Sequence, residues 1–148
     1  MIQRIQTLFL LLAAGSMGAL AAVPFFSVPK DAGYAEVSVL GDQIFNIQDH
    51  TGLLVLFLAA GGLALISIFL FKNRKLQSRI SMVALLLIFG GLGFATGILQ
   101  KAGVFEIGQL DMQAGIALPL VGIILLILAN VYIRKDDALV ESSYSRLR

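Results

Sequence analysis

The chain has 148 residues, 58% of them apolar and only 14% charged, with a net charge of +2 and a mean hydropathy of +0.91. That balance excludes an ordinary soluble domain and leaves room for a single small membrane domain. No cysteine is present, so disulfides, thiol chemistry and thiolate metal sites are excluded as well.

Four apolar runs account for the excess: Thr7 to Phe26, Gly52 to Phe71, Ile80 to Leu99 and Met112 to Ile133, none containing Asp, Glu, Lys, Arg or His. A hydrocarbon core about 30 Å thick is crossed by about 20 helical residues. Each run therefore predicts a transmembrane helix, over residues 5–26, 52–71, 80–99 and 112–133. Strands are disfavoured because the runs lack the dyad alternation of a barrel, whereas a helix satisfies its own backbone in lipid. The expected fold is all-α, a four-transmembrane-helix bundle forming one domain.

The first run begins after Arg4, and its Ala19-Leu20-Ala21 resembles a signal-peptide cleavage site. The apolar stretch continues past that site to Phe26, which favours a retained helix. Gly15 and Ala19 make a small-xxx-small pair on one face of this helix, a pattern that permits close helix contact.

The connection over residues 27–50 is long enough for structure of its own. Apolar residues partly alternate in Glu36 to Leu40 and in Gln43 to Ile47, with Gly41-Asp42 between them, which predicts a short extracytoplasmic β-hairpin. Val104 to Ile107 in the later outer connection is a candidate third strand, because a lone hairpin is marginal in water. The single histidine, His50, lies between Asp49 and Thr51 at the start of helix two. Asp49 or Thr51 is expected to cap that helix, with His50 at the interface. Neighbouring helix residues do not face each other, so Asp49 and His50 make no general-base pair, and no catalytic or metal site is expected.

The inner connection from Lys72 to Arg79 holds Lys72, Arg74, Lys75 and Arg79 and no acid. It sets topology and suits contact with anionic lipid at the membrane surface. Helix three carries Gly93 and Gly97, a GxxxG pair read as a packing face within the chain in preference to a dimer seam. Helix four is expected to start at Asp111 and to kink at Pro119, about two turns in, because proline lacks a donor and clashes with the carbonyl of Gly115. In the tail over residues 134–148, Val140, Tyr144 and Leu147 fall at i, i+4 and i+7, an amphipathic stripe able to lie on the bilayer or meet a protein partner.

Nine of the eleven basic residues fall at the N-terminus, in the Lys72–Arg79 connection or in the tail, while the other two connections hold only Lys30 and Lys101. Basic residues near span ends are retained on the cytoplasmic side, so both termini are expected inside.

Three segments together resemble an uncharacterised family, domain of unknown function 4293: Met1 to Leu8, Phe71 to Gln77, and Ile133 to Val140 with Arg146-Leu147-Arg148. The resemblance spans the whole chain. It implies a four-span protein of the bacterial cytoplasmic membrane, of Bacteroidota type, and brings no activity or catalytic residues to carry over. The family tends to have a basic residue where Glu141 stands and an acidic one where Tyr144 stands, and this chain departs at both. The expected function is that of a non-enzymatic accessory or assembly component without a cofactor, its partners being the bilayer and a membrane or cytoplasmic protein. A small-solute or lipid carrier working through Pro119 is the alternative. Nucleic acid is excluded, since no broad basic surface with stacking aromatics exists.

Overall fold

The computed structural model describes residues 2–27, 43–103 and 111–145. Four helices dominate: α1 (Ile2–Ala19), α2 (Thr51–Phe69), α3 (Arg74–Lys101) and α4 (Ala117–Ser145). Three short strands, β1 (Phe26–Ser27), β2 (Ile44–Phe45) and β3 (Asp111–Met112), form one antiparallel sheet in the order β2-β1-β3. The helices contact one another in a closed sequence, α1 with α2, α2 with α3, α3 with α4, and α4 with α1. At 1.5 Å per residue α2 is about 28 Å long, and α3 and α4 are each about 42 Å or more. Thr51–Phe69, Arg74–Lys101 and Ala114–Val140 are long and apolar enough to cross a membrane, whereas the apolar helix Arg4–Ala19 is shorter.

Several boundaries differ from the expected ones. α1 stops at Ala19 and the chain turns through Leu20 to Val23 before Pro24. Proline disfavours helical backbone in the residue before it and supplies no donor, so Phe25 and Phe26 leave the helix and join the sheet. α3 begins at Arg74, six residues before the apolar run, because the Asn73 side chain accepts from Leu76 N–H and caps it. α4 begins at Ala117 after a 3-10 turn over Ala114–Ile116, and Asp111 lies in β3 and caps nothing. Pro119 is therefore in the first turn, where the backbone donor would lack a helical partner anyway, so the expected reason for a kink disappears.

The strand expectations divide. Ile44–Phe45 is a strand, but it pairs with β1 in the register Phe26 to Phe45, and the third strand is Asp111–Met112. The first arm, Glu36 to Leu40, and the segment Val104 to Ile107 lie outside the described residues.

Buried positions recur at alternating intervals of three and four. In α3 they are Gln77, Ser81, Ala84, Ile88, Gly91, Ala95 and Leu99, and in α2 they include Leu53, Phe57, Ala60, Ala64 and Ser67. This is the spacing of a seam between nearly antiparallel helices. The side chains at these seams are mostly small, while large apolar ones point outward: Leu86 is 68% exposed, Ile124 58% and Phe69 77%. A water-soluble helix has the opposite arrangement, with its largest apolar side chains inward.

The glycines that allow close approach are not the expected ones. Among the described residues, a Cβ on Gly15, Gly93 or Gly97 would meet nothing within 4 Å, and Ala19 is only half-buried. Gly93 and Gly97 lie off the seam of α3, which runs through Gly91 and Ala95. The tight positions are Gly52 against the Phe94 ring, Gly61 against Met17, Gly91 against the Phe57 ring, Gly122 against Met17, and Gly115 against the Pro24 carbonyl.

At the sheet end, Phe26 stacks on Phe45 at 5.1 Å, and Phe25 sits 5.9 Å from both Phe45 and Phe57. The backbone joins this cluster to α4, with Gln113 N–H donating to Phe25 O (2.9 Å) and Gly115 N–H to Pro24 O (3.1 Å). Gly115→Ala should therefore cost about 1–3 kcal/mol through backbone displacement, while Gly93→Ala should be neutral or stabilising. Thermal melting of both variants in one detergent checks this, and equal midpoints would contradict the packing described.

Candidate functional site

Three contacts gather the basic end of the molecule. Gln6 Nε2 donates to Tyr132 O (2.9 Å), Ser78 Oγ donates to Asn130 Oδ1 (2.9 Å), and Arg74 Nε pairs with Asp136 Oδ2 (2.7 Å). The start of α1, the start of α3 and the end of α4 thus share one end, opposite the sheet. Asn130 also donates to Leu126 O (3.2 Å), so it ties α4 to α3 while satisfying its own amide.

Between α3 and α4 at this end lies a cleft of about 260 Å³ lined by Arg74, Lys75, Ser78, Arg79, Arg134 and Asp137, with Ile133 at its side. Helical spacing explains the lining. Lys75, Ser78 and Arg79 share one face of α3, and Arg134 and Asp137 share the facing side of α4. Four cations against one lining carboxylate leave the cleft positive, even with Asp136 paired to Arg74. Lys75, Arg79 and Arg134 form no ion pair with a described carboxylate.

The cleft gathers three of the four basic residues expected at the membrane surface. Lys72 is exposed in the turn before α3 and is not among the lining residues. In the sequence Arg134 is one of the basic residues of the tail and counts only toward topology. Its place beside Arg79 depends on α3 packing against α4, which no local pattern encodes. Val140 is half-buried, and α4 continues unbroken through Tyr144 to Ser145, as the expected tail helix requires. The Tyr144 side chain and Leu147 lie outside the description.

His50 is itself the N-cap of α2, in place of the expected Asp49 or Thr51. Its Nδ1 accepts from Gly52 N–H (3.1 Å), and its ring meets Phe94 edge-on at 4.9 Å. Asp49 instead accepts from Asn46 N–H (2.6 Å), closing the preceding 3-10 turn. The two side chains thus have separate backbone duties, each closing a different helical turn. Among the described residues no cluster of His, Asp and Glu has the makings of a metal site.

Two buried oxygens, Ser67 Oγ and Gln77 Oε1, have no hydrogen-bond partner among the described residues. Thr96 differs, its hydroxyl donating to Gly93 O at 2.8 Å within its own helix.

Helices with small inward and large apolar outward side chains, closed at one end by a sheet and at the other by a basic cleft, define a helical protein compatible with a membrane. The chain belongs to a family described as a domain of unknown function, DUF4293, whose profile matches residues 2–147. Neither a curated protein nor a solved structure matches it.

The polar contacts of the cleft region predict a difference between two serines. A double-mutant cycle on Ser78→Ala and Asn130→Ala should give a coupling of about 0.6 kcal/mol, the usual scale for polar pairs between membrane helices. Ser67→Ala should leave stability unchanged or raised, because it removes a buried hydroxyl with no partner among the described residues. Chemical or thermal unfolding of the purified variants reads both, and a destabilised Ser67→Ala would show that its hydroxyl has a partner.

Proposed function

We propose that the protein crosses the bacterial cytoplasmic membrane four times with both termini inside, acting there as a non-enzymatic accessory or assembly component. The observation that carries the membrane reading is the apolar exterior, with large side chains such as Leu86, Ile124 and Phe69 outward while small ones such as Ala84, Gly91 and Ala129 share the interior with Phe57, Ile88 and Leu126. Outward apolar side chains on this scale fit lipid, in which helices associate through small residues and polar contacts. α1 is about 27 Å long, so with the turn before Pro24 it nearly matches the hydrocarbon thickness.

Orientation follows from charge. Arg4, Arg74, Lys75, Arg79, Arg134 and Lys135 cluster at one end, which supports that end as the cytoplasmic one. Cysteines placed singly at Met112 and Asn73, both exposed, test it. An impermeant thiol reagent should label the first in intact cells and the second only after lysis. Labelling of both, or of Asn73 alone, would overturn the topology.

The accessory role is supported by the length of α4, which runs twelve residues beyond Ile133 to Ser145, about 18 Å past the end of the apolar run. The carrier alternative drew on a kink at Pro119, and the position of that residue in the first turn removes its support. A partner should therefore copurify from gentle detergent with the full chain and be lost on truncation after Asp137. Tyr144→Ser with Leu147→Ser should weaken recovery if the apolar stripe makes the contact. Partner recovery insensitive to the truncation would eliminate the tail as the docking element.

A further inference from the structure

The basic cleft does not end at Arg134. A second cavity of about 270 Å³ adjoins it along the same helix pair, lined by Met82, Leu85, Ile127, Asn130, Val131 and again Arg134. Lys75, Arg79, Met82 and Leu85 advance along one face of α3 in steps of three and four residues, and Arg134, Val131 and Ile127 do so on α4. The two cavities are thus successive parts of one groove, positive at its mouth and apolar further in.

We propose that this groove binds one anionic phospholipid of the cytoplasmic leaflet. Its phosphate lies between Arg79, Arg134 and Lys75, and one acyl chain lies along Leu85, Ile127 and Val131. The inference rests on the four-span reading and adds to it a defined ligand site.

Depth supports the assignment. Ile80 to Leu99 is twenty residues, about 30 Å of helix and so one hydrocarbon thickness. Arg79 then falls at the boundary of the core, and Met82 and Leu85 lie about 3–8 Å inside it. On α4, Arg134 directly follows Ile133, the last residue of its apolar run. An amphiphile standing in the inner leaflet has its phosphate and its first methylenes at these two levels.

Charge supports it as well. Arg79 and Arg134 come from different helices and are not ion-paired to described carboxylates, so their guanidinium forks are available to phosphate oxygens, which they match in geometry. With Asp137 in the lining and Asp136 on Arg74, the four cations Arg74, Lys75, Arg79 and Arg134 leave a net positive charge of two among these six groups. A free anion would be served by the mouth alone. The apolar continuation is what calls for a tail.

The test uses the full chain in mixed micelles, with bound lipid read by native mass spectrometry. Phosphatidylglycerol should form a one-to-one adduct retained about tenfold better than phosphatidylcholine of identical chains, and inorganic phosphate should not displace it. Arg79→Gln with Arg134→Gln should abolish that preference, and Val131→Trp should weaken the adduct by filling the groove. Lys135→Gln, at the same end but outside the groove, should leave it intact. Equal retention of the two lipids by the unmodified chain, or equal behaviour of the double variant and Lys135→Gln, would overturn the site. Displacement by inorganic phosphate would reassign it to a free anion. Alkaline carbonate extraction separates the premise from the inference: release of the protein from membranes defeats the four-span reading itself, whereas retention with no lipid preference defeats only the lipid site.

Discussion

The close approach of four helices through small side chains is the contact on which the rest of the architecture depends. Gly61 lets α2 meet Met17 of α1, Gly91 receives the Phe57 ring of α2, and Gly122 receives the end of Met17. Met17 is therefore gripped from two sides, and its unbranched thioether suits an irregular gap of this kind. Because large apolar side chains cover the outside, burial of apolar area alone does not distinguish inside from outside. Dispersion at these close contacts, multiplied along four seams, has to set the arrangement.

The same fact explains what was readable in the sequence. The existence of four helices followed from four uncharged apolar runs, since length and hydropathy suffice for that. Their inward faces did not, because every face is apolar and the seam is marked by residue size at three-and-four spacing. Gly93 and Gly97 make the more conspicuous motif, yet Gly91 and Ala95 lie on the seam. Boundaries slipped where an apolar stretch changes direction without changing composition. Phe25 and Phe26 extend the first run in hydropathy but serve in the sheet, and Met112 likewise opens the fourth run while belonging to a strand.

The candidate site was half legible. Lys75 and Arg79 stand out in a loop without acids, and their first explanation, topology, is complete as far as it goes. Arg134 joins them only through tertiary packing, fixed by the Ser78–Asn130 bond one turn further in and by Arg74–Asp136 at the rim. A charge count assigns these residues to one side of a membrane. Only the pairing of α3 with α4 makes a groove of them.

The two ends of the molecule are built by different means. At the sheet end, short strands, backbone bonds from Gln113 and Gly115, and the cluster of Phe25, Phe26, Phe45 and Phe57 join all the described elements of that end closely. Ring contacts of this type add directional preference to apolar burial. At the basic end, α3 and α4 carry the connection through a few polar side chains and one ion pair with both partners part-exposed, a class of contact that contributes little stability. The aromatic end is thus held by backbone bonds and ring packing, and at the basic end Lys75, Arg79 and Arg134 form no ion pair with a described carboxylate. These three can meet a ligand without breaking an ion pair among the described residues. That separation of duties is why the groove between α3 and α4, and not the sheet, is where recognition is to be sought.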